Sequence, residues 1–122
     1  MILIPASNEG PRIAEVVAGC HLVCPNVRIV VVVNGCSDDT EQQAINAGAE
    51  VIHSEKGYGE ALLAGYRFAS QIPDLPWLLQ MDADGQHPSE SIPVLLDALD
   101  SADLSIGSRL AAGGSAPGWT FS

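Results

Sequence analysis

The stretch Val27-Arg28-Ile29-Val30-Val31-Val32-Val33 is the clearest β-strand in this sequence, and it decides the fold class. All of its residues except Arg28 are β-branched, which favours an extended backbone, and the run stops at Asn34-Gly35. The chain also opens on a continuous apolar run, at positions 1–4. Unbroken apolar runs of this kind are typical of strands that are covered on both faces, as in a parallel sheet.

Helix signals alternate with strand signals along the chain. Pro11 suits the first position of a helix, and Asp38 and Asp39 place acidic groups in the first turn of the next one. Gly65 lies in the apolar stripe of the third helix and indicates close packing there. The sequence predicts strands at 1–4, 27–33, 50–53, 77–81 and 103–107, and helices at about 11–18, 37–48, 60–70 and 89–99. This alternation predicts one open, mainly parallel α/β sheet with helices on both faces.

Length and charge limit what the chain can be. Its 122 residues suit a single domain, and 15 acidic against 5 basic residues give a formal net charge of −10. That charge argues against nucleic acid or an anionic membrane surface as a nonspecific partner. A phosphate-bearing ligand would need a metal ion or a locally placed base in order to bind.

The cysteines favour a reducing, cytoplasmic environment. There are three, Cys20, Cys24 and Cys36, and the start of the chain lacks the basic segment of a secretory leader. A zinc site would need a second ligand pair, which the sequence does not contain. We therefore expect buried structural cysteines. No apolar run is long enough to span a bilayer.

The densest polar cluster is Met81-Asp82-Ala83-Asp84-Gly85-Gln86-His87-Pro88. Its glycine and proline favour an irregular loop at the end of the fourth strand. From such a loop, Asp82 and Asp84 can both turn toward one hard cation, Mg²⁺ or Mn²⁺, and Gln86 can add an amide oxygen or hold a metal-bound water. An acidic, solvated turn before a helix has the same composition, and the Asp-x-Asp pair alone favours that interpretation; the positions of the other polar residues favour the metal site.

Polar residues follow every predicted strand at its carboxyl end. They are Ser7 and Glu9 after the first strand, Asn34 and Asp38 after the second, Lys56 after the third, Asp82 and Asp84 after the fourth, and Arg109 after the fifth. Because open parallel sheets bind ligands outside the carboxyl ends of their strands, this edge predicts a site for a nucleoside diphosphate group. The sequence contains no Walker A loop, and no Gly-x-Gly-x-x-Gly follows the first strand. These absences argue against a P-loop protein and a dinucleotide-binding oxidoreductase.

Five segments occur in a characteristic order. They are Ile4-Pro5-Ala6-Ser7-Asn8-Glu9, Val33-Asn34-Gly35-Cys36-Ser37-Asp38-Asp39-Thr40, Lys56-Gly57-Tyr58-Gly59-Glu60-Ala61, Asp82-Ala83-Asp84-Gly85-Gln86-His87-Pro88 and Gly107-Ser108-Arg109. Together they resemble the motifs of family 2 glycosyltransferases of GT-A fold, most closely the dolichol- or polyprenyl-phosphate mannose synthases. The resemblance covers 1–122 and implies the nucleotide-sugar-binding, N-terminal portion of one such domain.

The resemblance implies substrate-binding roles for the first two segments. Pro5, Ser7 and Glu9 would line the nucleobase pocket, although the family more often has an aromatic residue where Ser7 stands. Asn34 stands where the family usually has an aspartate that holds the nucleoside. Asp38 matches the later aspartate of the same segment and would also bind substrate.

The later segments would handle the diphosphate. The resemblance implies that Lys56 binds substrate and that Asp82 contacts the nucleoside or the metal. Asp84 and Gln86 would bind the Mg²⁺ or Mn²⁺ that bridges the donor diphosphate, and Arg109 would neutralise phosphate on the donor or the acceptor. Asp84 and Arg109 are therefore the expected catalytic residues.

The implied chemistry is metal-dependent, inverting transfer from a nucleotide sugar. A divalent cation stabilises the charge that develops on the leaving nucleoside diphosphate, and an acceptor that attacks from the opposite face inverts the anomeric centre. No general base stands out among the acids after Gln86, which favours an acceptor that is already an anion, such as a polyprenyl phosphate. Such an acceptor would place the protein at the cytoplasmic face of a membrane.

Length is the chief departure from the family pattern. The family's catalytic domain continues beyond a point equivalent to Ser122, so we expect exposed apolar surface and self-association into a homo-oligomer. A second hypothesis follows, namely a nucleotide- and metal-binding module that transfers nothing because the acceptor half is missing. A sugar-phosphate nucleotidyltransferase would need a glycine-rich basic loop after the first strand, and this sequence has none there. A purely structural protein would give no reason for the polar edge.

Overall fold

The computed structural model describes residues 1–108, in which four strands and four helices alternate. The elements are β1 (Ile2–Ala6), α1 (Gly10–Val23), β2 (Ile29–Asn34), α2 (Thr40–Asn46), β3 (Glu50–Ser54), α3 (Tyr58–Ser70), β4 (Leu79–Gln80) and α4 (Ser91–Ala98). Within this part of the chain, no helix has both the length and the apolar character that crossing a bilayer requires.

The four strands form one parallel sheet in the order β3-β2-β1-β4. β1 pairs with β2 along its whole length, from Ile2 opposite Ile29 to Ala6 opposite Val33. Every residue of β1 and β2 is buried, which explains why both strands are apolar at successive rather than alternate positions. The predicted parallel α/β sheet is confirmed.

Helices cover both faces of the sheet. Because successive side chains of a strand point to opposite faces, the neighbours Val30 and Val31 belong to two different apolar clusters. Val31 packs in the cluster that α1, α2 and α4 cover, together with Ile13 of α1. Val30 packs in the cluster that α3 covers, together with Leu3 of β1.

The predicted close packing at Gly65 is confirmed. A Cβ atom on Gly65 would lie 2.4 Å from Cδ2 and 2.6 Å from Cδ1 of Leu3, which is itself fully buried. The absent side chain therefore lets α3 lie directly against β1.

The prediction of a fifth strand at 103–107 is wrong for the described chain. These residues are described, and they join no strand of the sheet. The exposed fraction is 73% for Leu104 and 75% for Ile106. An alternating apolar pattern forms a strand only beside a partner with unpaired backbone groups, and β4 is two residues long in this part of the chain. Arg109 lies outside the described residues.

All four helices have ends that differ from those predicted. α3 begins at Tyr58 rather than after Gly59, and α4 covers Ser91–Ala98 rather than 89–99. α1 continues to Val23 rather than ending near position 18, because Cys20 is buried and its sulfur lies 3.4 Å from that of Met81. α2 begins at Thr40 rather than at position 37. The polar groups of Ser37 and Asp38 are used instead to hold the loop between β1 and α1.

Candidate functional site

The order of the strands creates a crevice at one edge of the sheet. From β1 the chain adds β2 and β3 on one side, and it then returns to add β4 on the other side. The loops that leave β1 and β4 therefore diverge at their carboxyl ends, which is where open α/β sheets bind ligands.

A cleft of about 420 Å³ lies at this point, and the carboxyl ends of all four strands, or the loops that follow them, contribute to it. It brings together most of the residues that the sequence singled out. The predicted site residues that line it are Pro5, Ser7, Glu9, Asn34, Lys56, Asp82 and Asp84. Gly57, Tyr58 and Ala83 complete the lining.

The β1–α1 loop, which carries Ser7 and Glu9, is tied to the β2–α2 loop. The backbone N–H of Glu9 donates to Oγ1 of Thr40 at 2.9 Å, and that of Gly10 donates to Oδ2 of Asp38 at 3.0 Å. These bonds satisfy backbone donors at the start of α1, which has no side-chain cap of its own. Glu9 is also paired with Arg12, 3.0 Å away.

Asp38 lies outside the lining of the cleft. Its Oδ1 accepts hydrogen bonds from the backbone N–H of Thr40 at 3.0 Å and from the hydroxyl of the same residue. The hydroxyl of Thr40 is the largest cause that lowers the pKa of Asp38 below its ordinary value. The carboxylate is thus occupied in joining two loops, and its effect on the cleft is to hold the segment with Ser7 and Glu9 in place.

Asn34 forms the floor of the cleft, with 5% of its surface exposed. Its Nδ2 donates to the carbonyl oxygen of Ala6 at 3.1 Å, and its Oδ1 accepts from the backbone N–H of Gly57 at 3.3 Å. The amide therefore joins the ends of β1 and β2 to the turn before α3. An aspartate could not donate the first of these bonds, which gives the asparagine a structural reason at this position.

Asp82 is held from two sides. Its Oδ1 accepts from the hydroxyl of Tyr58 at 3.0 Å, and its backbone N–H donates to Nδ1 of His87 at 3.0 Å. Nε2 of His87 lies 3.6 Å from Oδ2 of Asp82, beyond hydrogen-bond distance. Partial burial, followed by the hydrogen bond to Asp82, raises the pKa of Tyr58, so its hydroxyl keeps the proton that it donates.

The loop after β4 presents oxygen atoms of the type that hard cations prefer. Oδ1 of Asp84 accepts from the backbone N–H of Gln86 at 3.0 Å, which fixes the turn between them. Asp82 and Asp84 line the cleft, whereas Gln86 does not. No group of three His, Cys, Asp or Glu side chains within residues 1–108 forms a metal cage. Mg²⁺ commonly binds through one or two carboxylates completed by water and substrate phosphates, and the pair fits that mode.

Lys56 supplies positive charge to the cleft. Among residues 1–108, no carboxylate forms an ion pair with it, and its stem packs against Gly35, where a Cβ would lie 3.0 Å from Cγ of Lys56. An amine that faces a cleft and lacks an internal partner suits a phosphate ligand.

A second cavity, of about 390 Å³, lies on the α1 side of the same loop. Arg12, Glu15 and Glu90 line it, and Asp84 borders both cavities. Because Arg12 is already paired with Glu9, this second cavity is acidic rather than suited to an anion.

The sequence did not predict the role of Tyr58, whose hydroxyl donates a hydrogen bond to Asp82. Tyr58 directly follows Lys56-Gly57 in one of the family motifs, but its partner Asp82 is 24 positions away. The spacing of residues gave no sign of that contact. The residue type was an available signal, because a tyrosine in the first turn of a helix has a hydroxyl that can donate a hydrogen bond to an acidic loop nearby.

Comparison with known proteins decides the family. The sequence profile of glycosyl transferase family 2 matches residues 1–122. The chain belongs to this family. A family 2 relative, polyprenol monophosphomannose synthase of Mycolicibacterium smegmatis, is 38% identical over 99% of the chain and 49% of its own length. Undecaprenyl-phosphate mannosyltransferase of Micrococcus luteus is 33% identical over the whole chain and 53% of its own length. The chain thus spans about half the length of these family members.

A solved structure supports the same family fold. Glucosyl-3-phosphoglycerate synthase of Mycobacterium tuberculosis, crystallised with uridine diphosphate, superposes with a TM-score of 0.67 at 25% identity. The superposition covers 84% of the chain and 40% of that protein. The sheet and helices are therefore those of GT-A glycosyltransferases, of which residues 1–108 contain the first part.

Proposed function

We propose that the chain forms the donor-binding part of a metal-dependent, inverting glycosyltransferase that uses a nucleotide sugar. The observation that carries the proposal is the cleft at the reversal of strand order, which gathers Ser7, Asn34, Lys56, Asp82 and Asp84 from the carboxyl ends of four strands and the loops that follow them. A surface of unrelated polar loops would have no reason to bring an amine that has no carboxylate partner among residues 1–108 into the same cleft as two carboxylates. The nucleoside would lie toward the β1 loop and the diphosphate toward Lys56 and the β4 loop.

A divalent cation fits this cleft. Asp82 and Asp84 would hold Mg²⁺ or Mn²⁺, with Gln86 as a third contact, and when bound the ion stabilises the charge on the leaving diphosphate. The protein's own residues orient these oxygens, through the hydrogen bonds from Tyr58 to Asp82 and from Gln86 to Asp84. Lys56 and Arg109 would neutralise further phosphate charge, with Asp84 and Arg109 the catalytic pair.

The relatives guide the choice of substrates. A related enzyme was crystallised with uridine diphosphate, which supports a nucleoside diphosphate in the cleft. The names of two relatives specify polyprenol and undecaprenyl phosphates, which supports a polyprenyl phosphate acceptor at the cytoplasmic face of a membrane. Such an acceptor is already ionised, so its attack on the far side of the sugar needs no general base.

A thermal-shift panel of nucleoside diphosphates, with and without Mn²⁺, tests the donor site. We expect stabilisation of several degrees that requires the metal, because a ligand at 100 times its Kd adds about 2.7 kcal/mol to the free energy of unfolding. Asp84→Ala should reduce the shift, whereas Asp97→Ala, an exposed carboxylate on α4, should not. Equal shifts for both variants, or no shift with any nucleotide, would count against the proposal.

A binding module without transfer activity is the second candidate. The chain spans about half the length of its relatives, so donor binding by these residues and sugar transfer are separate questions. Incubation with radiolabelled nucleotide sugars and a polyprenyl phosphate distinguishes the two. Transfer supports the enzyme, and binding without transfer or hydrolysis supports the module.

Self-association of the chain stays a prediction. Val94, Leu104 and Ile106 are each at least 69% exposed in the described residues, and apolar surface of this kind favours association. Gel filtration at micromolar concentration tests it, and a monomeric elution volume would contradict it.

A further inference from the structure

Asp82 lies at the end of a continuous chain of side-chain hydrogen bonds. The hydroxyl of Tyr66 donates to Oε1 of Gln80 at 2.8 Å, and Nε2 of Gln80 donates to the hydroxyl oxygen of Tyr58 at 2.8 Å. The hydroxyl of Tyr58 then donates to Oδ1 of Asp82 at 3.0 Å. Both tyrosines belong to α3 and Gln80 belongs to β4. Gln80 and Tyr66 do not line the cleft.

The carboxylate fixes the direction of every bond in this chain. An ionised Asp82 can only accept, so Tyr58 must direct its proton at Asp82. The oxygen of Tyr58 is then left to accept from the NH₂ group of Gln80, and the carbonyl oxygen of Gln80 is left to accept from Tyr66. Hydrogen bonds aligned in one sense polarise one another, so each donor strengthens the next one toward Asp82.

The second oxygen of Asp82 is left for a ligand. Among residues 1–108, no group donates a hydrogen bond to Oδ2, and Nε2 of His87 lies 3.6 Å from it, beyond hydrogen-bond distance. With Oδ1 held by Tyr58 and the backbone N–H held by His87, the carboxylate enters the cleft with its rotation fixed. It presents one defined oxygen rather than two interchangeable ones.

We propose that Tyr58 is a positioning residue that aims Oδ2 of Asp82 at the bound cation, with Gln80 and Tyr66 holding Tyr58 in turn. The inference rests on the proposed function, because it needs a metal and a nucleoside diphosphate in the cleft. The proposal also distinguishes two roles that Tyr58 could have, packing of α3 on the sheet and positioning of Asp82. A tyrosine that merely packs α3 on the sheet would affect the whole fold, whereas a positioning residue affects the ligand through Asp82 alone.

Tyr58→Phe in the 122-residue chain removes the hydroxyl and keeps the ring. The measured quantity is the gain in affinity for uridine diphosphate that Mn²⁺ provides, from calorimetric titrations with and without the metal. We expect this gain to fall roughly threefold to tenfold, the range for one typical intramolecular hydrogen bond. The melting temperature should stay unchanged, because Tyr58 is 54% exposed. Tyr66→Phe, two bonds further from Asp82, is the matched control and should have a smaller effect.

A double-mutant cycle with Asp82→Ala tests whether Tyr58 acts through that carboxylate. Tyr58→Phe should reduce the metal-dependent gain in the wild type and add nothing in the Asp82→Ala background. Equal losses in both backgrounds, an unchanged gain in Tyr58→Phe, or an equal weakening with and without Mn²⁺ would each overturn the inference while the proposed function stands. If Asp82→Ala and Asp84→Ala both bind like the wild type, or the wild type binds no nucleotide, the proposed function and this inference fall together.

Discussion

At the scale of single residues, Asp38 and Asn34 show how a motif position can serve the fold. The carboxylate of Asp38 accepts from Gly10, 28 positions earlier, and from Thr40, and the amide of Asn34 joins Ala6 to Gly57. In both cases the side chain holds a loop that lines the cleft. A change at either position would therefore alter ligand binding indirectly, through the loop that it supports.

The first residue-scale prediction concerns the pH dependence of Asp38→Ala. The hydrogen bond from the hydroxyl of Thr40 lowers the pKa of Asp38 below its ordinary value of 3.8. A carboxyl whose pKa is lower in the folded state adds stability above the unfolded pKa and loses it as the pH falls through the folded pKa. We expect the variant to melt at a lower temperature than the wild type at pH 7. That difference should shrink once the pH falls below 3.8.

Asp39→Ala is the matched control for this experiment. It removes the neighbouring carboxylate, whose Oδ2 accepts from Gln43 of the same helix at the surface. Thermal unfolding followed by circular dichroism between pH 2.5 and 7 compares the two variants. Equal losses in melting temperature, or a difference for Asp38→Ala that persists at the acid end, would show that the carboxylate does not tie the two loops.

At the scale of elements, α3 packs closely on β1 at Gly65, whose missing side chain leaves room for Leu3. Gly65→Ala is expected to destabilise the fold, even though alanine favours a helix over glycine by about 1 kcal/mol. The new Cβ would lie 2.4 Å from a side chain that is fully buried, and overpacking of this kind costs roughly 1–3 kcal/mol. We therefore expect a net loss of up to about 2 kcal/mol in the free energy of unfolding.

Gly59→Ala provides the control on the same helix. Nothing lies within 4 Å of the position that its Cβ would take, so the propensity term acts alone and the variant should be as stable as the wild type or more so. Urea unfolding of both variants measures the two free energies. If Gly65→Ala proves as stable as Gly59→Ala, the close contact between α3 and β1 does not constrain the fold.

The same element scale shows how far the sequence predicts this molecule. The buried strands were predictable because an unbroken apolar run such as Val30–Val33 is stable in few structures other than a strand covered on both faces. Once the strands are parallel, the polar residues at their carboxyl ends lie at one edge of the sheet. The absence of a strand at 103–107 could not be predicted from the sequence, because strand formation depends on a neighbouring strand and no local pattern shows whether one is present. The series of side-chain hydrogen bonds that joins Tyr66 to Asp82 depends on how α3 lies relative to β4. The spacing of the residues along the sequence does not reveal that arrangement.

At the scale of the whole molecule, the formal charge of −10 opposes the approach of the proposed ligand. A free nucleoside diphosphate is a multiple anion, and its complex with Mn²⁺ carries two fewer negative charges. The long-range field of the protein therefore repels the free nucleotide more strongly than the complex. Lys56 attracts both at short range, where added salt screens less effectively than it does across the whole surface.

Salt should consequently accelerate the binding of the free nucleotide, the reverse of what is expected for a basic nucleotide-binding protein. Between ionic strengths of about 0.01 M and 0.15 M the screening length falls from about 30 Å to about 8 Å. The association rate constant of a fluorescent uridine diphosphate, measured by stopped flow, should rise over this range and should rise less when Mn²⁺ is present. Lys56→Ala should slow association at both ionic strengths, while Lys56→Arg, which keeps the charge, should not. An association rate that falls with salt in the wild type would show that local positive charge, and not the net charge of the molecule, governs the encounter.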